Sequence, residues 1–188
     1  MNFKKALPIV AIVVIVIGIM VALAIGNTGK TQAAFLEKYG LANLDVKTVV
    51  SKLDSTIEEP AELSSSITGT QLTLTDGKQT VKLDLSKDEF YLSFAPYLTQ
   101  THPCGFHSLS SCRGELVNVP VQTKITDSKG AVIVDETLTS MANGFIGVWL
   151  PKGIDATIQV NYGGKTATAP ISTRAVSETC LTTPLKLN

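Results

Sequence analysis

Residues 156–172 read ATIQVNY-GG-KTATAPIS: a strand-like run from Ala156 to Tyr162, a Gly163-Gly164 turn, and a second run from Lys165 to Ser172. Glycines accept the positive φ that a tight turn requires, so the stretch predicts a β-hairpin. The same grammar runs upstream. Phe90 to Ala95 reads as a strand, and after an irregular segment come Glu115–Thr126, a Ser128-Lys-Gly130 turn, Ala131–Leu138 and Gly144–Leu150. Short strands at even spacing, with turn residues between them, predict an antiparallel sandwich of roughly immunoglobulin-like size. Downstream, the tail from Thr173 to Asn188 carries Leu185-Lys-Leu187, an alternation suited to pairing at a sheet edge.

Ahead of this region the periodicity changes. Residues 33–39 have short-helix character and Gly40 is placed as a C-cap. Asp45 offers an N-cap for Val46 to Leu53, where Val46, Val49, Val50 and Leu53 form an apolar stripe at helical spacing, and Glu58-Glu-Pro60 stops the run. Ser66 to Leu85 reads as a hairpin: Leu72 and Leu74, an Asp76-Gly77 turn, then Val81, Leu83 and Leu85. The expected fold is mainly β and α+β overall. A small helical and hairpin N-terminal module (34–86) precedes an antiparallel β-sandwich-like C-terminal domain (87–188).

Residues 1–33 are of another kind. Asn2-Phe-Lys4-Lys5 is a positive start, and Ala6 to Ile25 is twenty residues without a charge. As a helix it would rise about 30 Å, the thickness of a bilayer's hydrocarbon core, and it is longer than the about 7–15 residues of a signal-peptide core. An uncleaved anchor is favoured over a cleaved signal, although Ala22-Leu-Ala24 and Thr31-Gln-Ala33 suit a signal peptidase. In both cases Lys4 and Lys5 stay inside. Residues 34–188 are then exported to a periplasmic or cell-surface location. Of the 16 basic and 16 acidic residues, this segment holds Lys4, Lys5 and Lys30 and no acid, which leaves 13 against 16 in the rest. Basic stripes are absent and the aromatics are scattered, so no nucleic-acid partner is indicated.

The chemistry-bearing residues are concentrated. The chain has three cysteines and two histidines, and four of the five fall between His102 and Cys112: His102-Pro-Cys104-Gly-Phe-His107-Ser-Leu-Ser-Ser-Cys112. Cys180 is the fifth. Thiolates and imidazoles select Cu(I) and Zn. Three cysteines converging would suit Cu(I), with His107 completing the set and His102 as an entry or outer group. Structural Zn, which takes four ligands at shorter spacings, fits less well and is only an adventitious alternative. A second reading is a loop-closing Cys104–Cys112 disulfide worth about 2–3 kcal/mol, which leaves Cys180 unpaired. A third lets the same thiols cycle between disulfide and metal-bound dithiolate. An odd thiol count in an exported chain is unusual. Met141 and Trp149 are read as packing. Ser108, Ser110 and Ser111 lie near His107 but lack a nucleophile-elbow pattern.

The stretch Thr101 to Leu116, with the tail Glu178-Thr-Cys180-Leu-Thr-Thr-Pro-Leu185, closely resembles the CueP family of exported copper-binding proteins. The resemblance extends more loosely over the region from Phe90 and over the helical module. It implies copper handling outside the cytoplasm through Cys104, Cys112 and Cys180, with His107 and His102 in the matching motif. It also implies copper tolerance, supply of copper to an exported Cu,Zn superoxide dismutase, and thiol-dependent reduction of Cu(II) and Fe(III). The rival classes are a structural or adhesion module stapled by a loop disulfide and a metal reductase with turnover. A homodimer stays open.

Overall fold

The computed structural model describes residues 29–57 and 62–188. The Ala6–Ile25 segment and the Glu58-Glu-Pro60 stop lie outside the described residues. Among the described residues no helix is long and apolar enough to cross a membrane. Contacts divide the chain between Asn43 and Leu44.

In the first unit, residues 29–38 form helix α1, longer than the 33–39 run expected from sequence. It closes where predicted. Gly40 takes φ 65°, its N–H bonds to Glu37 O, and the Leu41 N–H bonds to Leu36 O, the paired bonds that satisfy a helix's last carbonyls.

In the second unit, α2 spans Val46–Asp54. The Asp45 carboxylate accepts from the Lys47 and Thr48 N–H groups and satisfies two orphan donors of the first turn. Val49, Val50 and Leu53 are buried along the apolar stripe, and so is Asp54, at 0 % exposure. The predicted hairpin is β2 (Gln71–Thr75) and β3 (Thr80–Asp84), with Asp76 Oδ1 accepting from the Lys78 and Gln79 N–H groups across the turn. A serine-rich strand that sequence did not predict, β1 (Ser64–Ile67), pairs antiparallel with β2 to complete a three-stranded sheet.

The sandwich is built from β4 (Glu89–Phe94), β5 (Pro120–Asp127), β6 (Val132–Thr139), β7 (Ile146–Pro151), β8 (Asp155–Tyr162), β9 (Lys165–Ser172) and β10 (Cys180–Leu181). One sheet has the order β6-β5-β8-β9 and is antiparallel throughout; the other has the order β10-β4-β7. Side chains alternate across each strand, and Phe90, Leu92, Phe94, Val121, Ile125, Ile158 and Val160 meet in the core between the sheets.

Two expectations are corrected. The strand expected from Glu115 begins only at Pro120, because the Glu115 carboxylate accepts from the N–H groups of Leu98, Thr99 and Gln100 and holds 95–119 as a loop. The tail pairs at edges as expected, but β10 runs parallel to β4, through the pairs Cys180–Ser93 and Leu181–Phe94. Beyond it, Asn188 exchanges two backbone hydrogen bonds with Thr166 of β9.

Strand β4 positions the site. Both its faces are buried, a pattern usually seen in covered sheets. Phe90, Leu92 and Phe94 fill the sandwich, while Tyr91, Ser93 and Ala95 point the opposite way, toward α2 and the Cys/His loop.

Candidate metal centre

The loop carrying Cys104, His107 and Cys112 is pinned at three places. Its His107 carbonyl accepts from the Ile67 N–H at the end of β1 (2.9 Å). The Gly105 carbonyl accepts from two tail amides, Thr179 N–H (3.0 Å) and Cys180 N–H (3.1 Å). Between them, Thr179 Oγ1 accepts from the His107 N–H and donates to Ile67 O. A single turn, Cys112 N–H to Ser108 O, brings the last cysteine back toward the first.

These anchors gather Cys104, His107, Cys112 and Cys180, whose sulfur and imidazole donor atoms all lie within 4.8 Å of one another. All but the half-buried Cys104 are buried. The cluster sits on Ala95 and Phe145, with Met141 packed against it. His102 stands outside the four-residue set, its ring 6.3 Å from that of Phe145. The serine hydroxyls bond elsewhere: Ser111 donates to Ser108, and Ser110 accepts from the Ser65 N–H.

The disulfide differs from the loop staple weighed from sequence. Cys104 pairs with Cys180, 76 residues away, with 5.5 Å between their Cα atoms, and Cys112 is the free thiol. The reason is register. Two tail amides on one carbonyl set Cys180 directly beside Cys104, whereas the turn from Ser108 leaves Cys112 Sγ 3.5 Å from Cys104 Sγ. In this oxidised form the soft donors are the Cys112 thiol and His107. Reduction would release the other two sulfurs into the same space.

Sequence reasoning missed Asp54. Its Oδ1 lies 2.7 Å from His107 Nε2 and accepts from Asn143 Nδ2 (2.7 Å). Its Oδ2 accepts from the Tyr91 hydroxyl (2.5 Å) and the Ser93 hydroxyl (3.3 Å). Tyr91 reaches it across Gly147, where an added Cβ would lie 1.8 Å from the phenol oxygen. A signal existed: Asp54 follows Val50 by four residues, so it falls on the stripe's buried side.

The charges interlock. Burial opposes a charged His107, but the Asp54 hydrogen bond, then that from Cys112 and both their charges, outweigh it and raise the pKa to about 9. Burial likewise opposes the Cys112 thiolate, and hydrogen bonds from His107 and then His102 outweigh it, bringing the thiol down to about 7. Burial, reinforced by the Asp54 charge, pushes the Tyr91 phenol well above its usual range and keeps it a donor. Cys112 is therefore a partly ionised thiol at neutral pH, the form that attacks disulfides and binds soft metals.

Comparisons with known proteins agree with this chemistry. No curated protein matches the chain. The crystal structure of S.CueP is similar, with 52 % sequence identity and a TM-score of 0.79, over 83 % of this chain and 96 % of that one. The family model of the periplasmic copper-binding protein CueP matches residues 48–186, from within α2 through the Cys/His loop and into the tail. The chain belongs to the CueP family.

Proposed function

We propose that this protein binds Cu(I) outside the cytoplasm through Cys104, Cys112 and Cys180, assisted by His107 and then His102, and holds it for transfer by ligand exchange. The observation that carries this reading is the gathering of three sulfurs and one imidazole within 4.8 Å in a buried pocket. Soft donors of this kind suit Cu(I), and membership of a periplasmic copper-binding family supports the same cargo and compartment. With the Cys104–Cys180 bond closed the site has one thiol, so uptake requires prior reduction of that bond. An exported cuproenzyme such as a Cu,Zn superoxide dismutase is the recipient in this reading, and a hydrophobic start at Ala6–Ile25 would keep the carrier at the membrane.

The test is a titration of the reduced protein with Cu(I) against a competing chelator. Tight binding that is lost in a Cys104→Ser, Cys112→Ser, Cys180→Ser variant supports the reading. Equal affinity of the two proteins defeats it.

The pairing of Cys104 with Cys180 favours a second reading, a metal reductase. Two thiolates each pass one electron to a Cu(II) or Fe(III) ion, and the two sulfurs join as the disulfide, so two ions are reduced per bond formed. With limiting protein and excess thiol donor, repeated turnover marks a reductase, whereas reduction that stops at two ions per protein marks a store or carrier.

A further inference from the structure

We propose that Asp54 is the positioning residue of the metal centre, holding the Nε2 proton of His107 so that the ring presents Nδ1 to the sulfurs. The inference rests on the copper-binding reading above and adds to it the atom through which His107 acts and the group that chooses it.

An ionised carboxylate accepts hydrogen bonds and cannot donate them. Asp54 Oδ1, 2.7 Å from Nε2, therefore keeps a proton on Nε2, and the lone pair of the neutral ring falls on Nδ1. Nδ1 is the nitrogen that faces the cluster, 3.7 Å from Cys180 Sγ. The hydrogen bond to Asp54 sets which way round the ring lies. The ring is fully buried, its centroid lies 4.7 Å from that of Phe145, and its backbone is tied to Thr179 and Ile67. A flipped ring would set a C–H against the carboxylate and leave an acceptor of Asp54 without its donor.

Asp54 is itself held from three sides. Tyr91 and Ser93 bind one oxygen, and Asn143 binds the other together with the Asp54 backbone carbonyl. Its location argues against a role in helix stability. A negative charge at the last residue of α2 meets the negative end of the helix dipole, and burying it carries a desolvation cost. The Nε2–H of His107 is the hydrogen-bond partner that offsets part of this cost. An anion hydrogen-bonded behind a ligating imidazole also makes the ring a stronger donor, so the same contact sets both the ligand's direction and its strength.

The test has two arms on the full-length, thiol-reduced protein. In metal-free, nitrogen-15-labelled protein, brought to a pH at which the ring nitrogen shifts of His107 are those of a neutral imidazole, long-range proton–nitrogen correlations locate the ring proton. A proton on Nε2 is expected, and a proton on Nδ1 overturns the inference. The second arm measures Cu(I) affinity for wild type, Asp54→Asn, His107→Ala and the double variant. Asp54→Asn can turn an N–H toward Nε2 and free Nδ1 to take the proton, so about 10- to 100-fold weaker binding is expected. In the His107→Ala background the same change has no further effect. Equal losses in both backgrounds would make Asp54 merely structural and overturn the proposal. If wild type binds Cu(I) no better than the triple-cysteine variant, the copper reading fails and the position of the ring proton alone decides this one. The same holds if Asp54→Asn does not fold.

Discussion

Reducing the Cys104–Cys180 disulfide in the absence of metal should lower stability more than a local loop staple could. The bond closes a 76-residue span, and in the chain-entropy model such a closure is worth about 4.5 kcal/mol at 25 °C. A Cys104–Cys112 bond, eight residues apart in sequence, would be worth about 2.5 kcal/mol on the same relation. For a chain of this length each kcal/mol moves Tm by about 2–4 °C, so reduction should lower it by about 9–18 °C, against about 5–10 °C for the short loop. Melts of the oxidised and reduced protein by far-UV circular dichroism, with a Cys104→Ser, Cys180→Ser control insensitive to reductant, measure the difference. Thiol labelling of the oxidised protein should modify Cys112 alone. Adding Cu(I) to the reduced protein should return part of the loss, about 2.7 kcal/mol when free metal stands at a hundred times Kd. Coincident melts, or labelling at Cys180 in place of Cys112, would refute the reasoning that this long-range bond ties the tail to the loop.

Three further outcomes follow from single contacts. The Cys112 thiolate, followed by its ultraviolet absorbance with the disulfide intact, should titrate near about 7. In His107→Gln its midpoint should rise, because the leading hydrogen bond is lost while burial remains; an unchanged midpoint would remove His107 from the thiol's control. Gly147→Ala should destabilise by about 1–3 kcal/mol in urea, since the new methyl occupies the space of the Tyr91 hydroxyl, and an unaltered denaturation midpoint would count against that packing. Glu115 is held down to about 2, first by the Thr99 hydroxyl and then by backbone N–H groups. A depressed folded pKa means its contribution is complete above about 4.5 and disappears as pH falls through about 2. The Leu98 and Thr99 amide shifts should therefore hold steady at pH about 3, and movement near the ordinary carboxylate range would contradict the cap.

The locally encoded parts of this fold were legible because their causes are local. Asp45 caps α2 with its own side chain, Gly40 and Gly77 adopt the positive φ their positions require, and the alternation of β8 and β9 about Gly163-Gly164 needs no distant partner to be seen. The Cys/His cluster was legible in the same sense, since cysteine and histidine are scarce and their crowding between His102 and Cys112 stands out. The strand expected from Glu115 failed because a carboxylate looks the same in a strand as in a cap; only the Thr99 loop folding back onto it decides which it is. Strand β1 was hidden for a similar reason, as Ser64–Ser66 carries no hydrophobic alternation and pairs because β2 lies beside it.

By itself the sequence determined the element types, the mainly β class and the identity of the soft donors, because hydrophobic period, turn chemistry and residue type are properties of short stretches. Tertiary structure decided how those donors are used. Which cysteine meets Cys104 depends on the Gly105 carbonyl receiving two amides from a tail more than seventy residues away. The carboxylate behind His107 comes from a helix 53 residues earlier. Pairing across such distances is set by the register of packed elements, and register emerges only when β4, α2, the loop and the tail are in contact.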